Sequence, residues 1–76
     1  MKEFILEMLE ELRPEFNFNV PMDFIEEGML DSFDIVNLVS SLDDVYSISI
    51  SGTDIIPENF NSVEHIMMLV TKHMAK

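Results

Sequence analysis

Apolar residues recur at helical spacing in three stretches of this chain, separated by two long connections. In the first, Phe4, Ile5, Met8, Leu9 and Leu12 share one side of a helix, opposite Glu3, Glu7, Glu10 and Glu11. This predicts a helix from Lys2 to Leu12. Pro14 ends it, because the residue before a proline is pushed out of helical geometry. A second periodicity starts at Asp31 and Ser32, either of which fits the helix cap, and runs to about Tyr46. Steps of about 100° per residue gather Ile35, Leu38, Val39, Leu42, Val45 and Tyr46 on its core side. The other side carries Phe33, Val36, Asn37, Ser40, Asp43 and Asp44. Asn61 or Ser62 opens the last helix, with Asn61 and Glu64 at capping-box spacing. Val63, Ile66, Met67, Val70 and Met74 form its inward face, with Leu69 beside them. Lys72, His73 and Lys76 follow where a helix carboxyl end favours bases.

The connections are not polar linkers. Residues 15–30 include Phe16, Phe18, Val20, Phe24 and Ile25, so this loop is expected to pack onto the helices. In residues 47–61, Ile48 and Ile50 alternate with serines, and Gly52 and Pro57 limit any helix to about one turn around Asp54 to Pro57. Ile55, Ile56 and Phe60 are expected to plug the open end. The pattern predicts an all-α bundle of three main helices and a short one, a single domain over residues 1–76. No internal repeat is present.

A chain of 76 residues supports a modest core, and the lack of cysteine removes disulfides and thiolate metal sites. The apolar amino terminus is interrupted by four glutamates, so it suits neither a secretory signal nor a membrane span; a soluble, intracellular protein is expected. The formal net charge is −11. Lys2, Arg13, Lys72 and Lys76 are the only Lys and Arg residues, whereas eleven acids run from Glu15 through Glu64. Such a distribution argues against nucleic-acid binding and points to partners with basic patches. The plainer alternative is that the acids keep a small domain soluble.

Little here suits catalysis or metal binding. His65 and His73 lie eight residues apart, without a ligand motif. Asp31 and Asp34 lack the pattern of a calcium loop, and adjacent Asp43 and Asp44 diverge on a helix. Ser32 has neither a paired base nor a nucleophile elbow, so no catalytic residue is assigned. A helix start nevertheless tolerates an anion, so Ser32 is either a plain cap or a place to carry a phosphodiester. Phe33 and Val36 are apolar on the polar side and flanked by Asp34, Asp43 and Asp44, which suits a docking surface; Phe33 could equally fold under the preceding loop.

Leu30-Asp31-Ser32-Phe33, followed by Asp34, resembles the attachment motif of acyl and peptidyl carrier proteins. The helix order, the loop lengths, Leu38, Val39, Leu42, Tyr46, Ile50 and Ser62-Val63 resemble that family over nearly the whole chain. Phe33 in place of leucine, Ser40 in place of an exposed methionine, and the spacing from Tyr46 to Ser62 resemble the D-alanyl or amino-acyl branch more than fatty-acid carriers. The resemblance implies a small four-helix carrier fold. It also implies a 4′-phosphopantetheine arm on Ser32, placed there from coenzyme A by a phosphopantetheinyl transferase. Asp31 would belong to the attachment site and, with Asp34, would meet basic residues on the transferase. Phe33, Asp34, Val36, Asn37, Ser40, Asp43 and Asp44 would face partners, including acyl- or aminoacyl-loading and transferring enzymes with basic docking patches. The carrier would be a cytoplasmic monomer, without enzymatic activity of its own. The other reading is an acidic helical adaptor with no prosthetic group.

Overall fold

The computed structural model describes residues 1–74. Its helices are α1 (Lys2–Leu12), α2 (Ser32–Tyr46) and α3 (Val63–Met74). The short helix expected around Asp54 to Pro57 is divided into two 3₁₀ turns, Gly52–Asp54 and Pro57–Asn59. Ile56 between them is extended, and Pro57 starts the second turn, where its missing N–H costs no helical hydrogen bond.

The core lies where α1 meets α2 and α3. Ile5, Met8 and Leu9 come from α1; Ile35, Leu38, Val39 and Leu42 from α2; Val63, Ile66, Leu69 and Val70 from α3. Both connections contribute as well. Phe18, Phe24, Met29 and Leu30 are buried from the first, Ile50 and Phe60 from the second. Phe18 and Phe24 meet edge to face, with ring centroids 5.0 Å apart. The Phe24 carbonyl accepts from the N–H groups of Met29 and Leu30, and the Phe24 N–H donates to the carbonyl of Asn61. The first loop is thus bonded to the start of α3 as well as packed against the core.

Several face assignments change. Phe4 and Val45 are exposed, Tyr46 is half-buried, and Phe4 rests edge-on against the Tyr46 ring. These residues lie at the margin of the helical stripe, where neighbours cover only part of a side chain. Ile56 is also exposed, because the extended link turns it outward while Phe60 fills the core. In α3 the inward position belongs to His73 and not Met74. Val63, Ile66, Val70 and His73 continue in steps of three and four residues, the spacing of a buried helix seam. His73 Nε2 lies 3.0 Å from Asp54 Oδ2, and Lys72 Nζ lies 2.9 Å from the same oxygen. Lys76 lies outside the described residues.

Ser62 caps α3: its Oγ accepts the His65 N–H at 3.1 Å. The expected Asn61–Glu64 box is not used. The Asn61 side chain bonds the His65 ring, and Glu64 is exposed opposite Lys2. Among the described residues, no helix is long and apolar enough to cross a membrane.

Candidate functional site

The first turn of α2 is organised by two aspartates that cap each other. Asp31 is extended, and its Oδ1 accepts the Asp34 N–H at 2.9 Å. Asp34 Oδ2 in return accepts the Asp31 N–H at 3.1 Å. This reciprocal capping box satisfies two backbone donors of the helix start. It also settles which residue caps the helix. Asp31 does, so Ser32 is the first helical residue, exposed, with its hydroxyl not required for the cap.

Sequence on either side fixes that exposure. Gly28 has φ +72°, a left-handed conformation natural to glycine, and turns the chain toward Met29 and Leu30. Those two residues are buried immediately before the cap, and Asp34 and Ile35 are buried immediately after it. Asp31, Ser32 and Phe33 therefore form a short exposed step between two anchored points.

Arg13, the residue that ends α1, completes the site. Its Nε donates to Asp34 Oδ2 at 2.8 Å, Nη2 to Asp31 Oδ2 at 3.2 Å and Nη1 to Glu15 at 3.3 Å. Charge-assisted bonds of this kind are stronger than neutral ones and fix direction as well as distance. The Asp34 N–H, with the Arg13 charge adding to it, holds the Asp31 carboxyl below its ordinary range. Arg13 in turn is held still more firmly in its charged form, chiefly by Asp34 and then Glu15. Three carboxylates around one guanidinium leave the surface beside Ser32 net negative.

Asp34, expected among the exposed partner-facing residues, is instead buried. It is only 5% exposed, drawn inward by its two roles as box acceptor and Arg13 partner. Phe33 and Val36 are 73% and 60% exposed, which excludes Phe33 folding under the loop. Ser40 and Asp44 are exposed on α2 with them, whereas Asn37 and Asp43 are half-buried. Asp43 also braces the fold, since its Oδ1 accepts the Ile50 N–H at 3.0 Å and ties down the second connection.

Sequence reasoning missed Arg13. Its signal was present, since no other Lys or Arg occurs between Lys2 and Lys72, in a chain otherwise crowded with acids. The histidines are separated by role, His65 exposed and His73 buried. Among the described residues, no group of three or more His, Asp or Glu side chains is arranged to hold a metal.

The exposed Ser32 hydroxyl, at the amino end of a 15-residue helix, fits an anionic ester: first-turn amides and the helix dipole favour negative charge there. No family model matches the chain, and no solved structure matches it significantly. Among curated proteins it is similar to the D-alanyl carrier proteins of Lactococcus lactis subsp. cremoris, strains MG1363 and SK11, and of Lactococcus lactis subsp. lactis, strain IL1403. Each is 32% identical over 68 residues, covering 87% of this chain and 86% of the relative.

Proposed function

The chain belongs to the carrier-protein family that includes the D-alanyl carrier proteins, and on that premise we propose that Ser32 bears a 4′-phosphopantetheine arm. Carriers of this family are not catalysts. The arm's terminal thiol would hold an acyl or amino-acyl group as a thioester and carry it between enzymes. A chain with no cysteine has no thiol of its own, so the group supplies the one nucleophile the sequence lacks.

What carries this reading is an exposed serine freed from capping by its neighbour Asp31. In the loading step, Ser32 Oγ bonds to the phosphorus on the pantetheine side of coenzyme A. The bridging P–O bond breaks, the nucleotide half leaves, and the hydroxyl proton passes to a base of the transferase. Phe33 and Val36 offer an apolar contact beside Ser32, and Asp31 and Asp44 offer charge to a basic partner. A cytoplasmic location agrees with this role, because coenzyme A is available there. The named relatives favour D-alanine, or another small amino-acyl group, as cargo.

The test is intact mass after incubation with coenzyme A, magnesium and a broad-specificity phosphopantetheinyl transferase. A gain of one phosphopantetheinyl group, absent in Ser32→Ala, supports the carrier reading. No gain in a folded chain rejects it and leaves the acidic adaptor. Charging of the modified chain with D-alanine by an adenylating ligase then tests the cargo.

A further inference from the structure

We propose that Arg13 is a positioning residue for modification of Ser32: its grip on Asp34 and Asp31 holds the first turn of α2 in the form a transferase can use. This rests on the reading of Ser32 as the attachment point.

The argument begins with the unusual chemistry of the cap. A capping box commonly joins a neutral Ser or Thr to a Glu or Gln. Here both members are aspartates, each accepting the other's backbone N–H. Two carboxylates held this close repel each other, and that repulsion works against the box. Arg13 lies where it offsets it. Its Nε and Nη2 reach one oxygen of each aspartate, at 2.8 and 3.2 Å. Asp34 uses that same oxygen to accept the Asp31 N–H, whereas Asp31 keeps its other oxygen for the Asp34 N–H.

The Arg13 backbone is tied to α1, because its N–H donates to the Leu9 carbonyl at 2.9 Å. The clamp therefore refers the position of Ser32 to the end of α1, across 21 positions of sequence. A phosphodiester on Ser32 would add a further negative charge beside the pair, which makes the same cation more useful after modification than before. A lysine would supply the charge without the fork that reaches two carboxylates in fixed directions.

A residue that positions the nucleophile should act on kcat more than on KM, because Arg13 need not touch the transferase. The experiment compares wild type, Arg13→Gln, Arg13→Lys and the double variant Arg13→Gln/Asp34→Asn. Transfer kinetics from coenzyme A are measured beside amide hydrogen exchange. Arg13→Gln is expected to lower kcat about tenfold with KM nearly unchanged, and Arg13→Lys to recover part of the loss. Adding Asp34→Asn removes one of the repelling charges, so the double variant is expected to return to within about threefold of wild type.

A folded Arg13→Gln that turns over like wild type overturns the proposal, as does a double variant no faster than Arg13→Gln. If Arg13→Gln fails to fold, the double variant decides: folded and modified near the wild-type rate supports the proposal, and unfolded or unmodified overturns it. If wild type itself is not modified, the reading of Ser32 fails, and exchange still tests the clamp. Faster exchange at Phe33 to Ile35, with α3 amides unchanged, supports it; unchanged exchange at those residues overturns it.

Discussion

Two charge clusters hold this small bundle, and they are built in opposite senses. At the start of α2, one base faces three acids: Arg13 contacts Asp31, Asp34 and Glu15. At the end of α3, one acid faces two basic side chains, Lys72 and His73 around Asp54. The Asp54 cluster closes on itself. His73 is buried, and the tautomer with its proton on Nε2 can donate to Asp54 while Nδ1 keeps only an unused lone pair. The Arg13 cluster stays open, with Asp31 exposed and negative charge left over beside an exposed serine. One cluster joins a loop to a helix and ends there. The other joins the end of α1 to the start of α2 and also leaves negative charge exposed beside Ser32. Excess charge at the surface is what separates an ion pair that only braces the fold from one that can also guide recognition.

The sharpest break in that comparison comes from the core behind the closed end. Phe60 is fully buried next to the second 3₁₀ turn, and Phe60→Ala should cost about 3–5 kcal/mol in urea unfolding. Next in size is His73→Gln, expected to lower the urea midpoint by less than Phe60→Ala does, because a buried ring and its contact with Asp54 are lost. Ser32 modification should proceed at the wild-type rate in that variant. If it slows, the two clusters are not independent.

Acid offers a smaller test. Lys72, with His73 adding to it, holds the Asp54 carboxyl below its ordinary 3.8; the Asp34 N–H and Arg13 do the same for Asp31. Each carboxylate's contribution to stability is full above the ordinary value and is lost as pH falls through the lower folded value. Circular dichroism should therefore show stability falling below about pH 4 in wild type, and falling less steeply in Asp54→Asn. The smallest effect on stability belongs to Val36→Ser on the open side, within about 0.5 kcal/mol. That substitution should instead raise KM for the transferase by a few-fold, read from the same transfer assay.

The sequence made the local features legible. Helical spacing and Pro14 marked both ends of α1, and the Asp31–Ser32 step marked the start of α2. Each of these depends on residues close together in the chain. What could not be read was tertiary. Asp34 has the pattern of a surface acid, and its burial depends on Arg13, arriving from the end of another helix, as well as on the local capping box. Phe4 and Val45 satisfied the periodicity but sit at its margin, where the neighbouring helix decides exposure. His73 was legible in spacing and hidden by chemistry: an imidazole is a worse core residue than Met74 until Asp54 supplies its partner. The serine's location was evident from sequence, but the device that steadies it was not.

The Arg13 contacts also bear on chain entropy. Residues 14–30 make a long excursion, and Arg13 at one end meets Asp31 and Asp34 at the other. The guanidinium thus acts as a non-covalent staple across the base of the loop. Closing a longer loop would cost only about 0.6 kcal/mol per doubling of its length. Residues could be inserted at the loop's exposed bend, between Pro21 and Met22, while the staple keeps Ser32 in register with α1. Length can therefore change at that exposed bend, while the buried Phe18 and Phe24 and the staple hold the residue on which the proposed function depends.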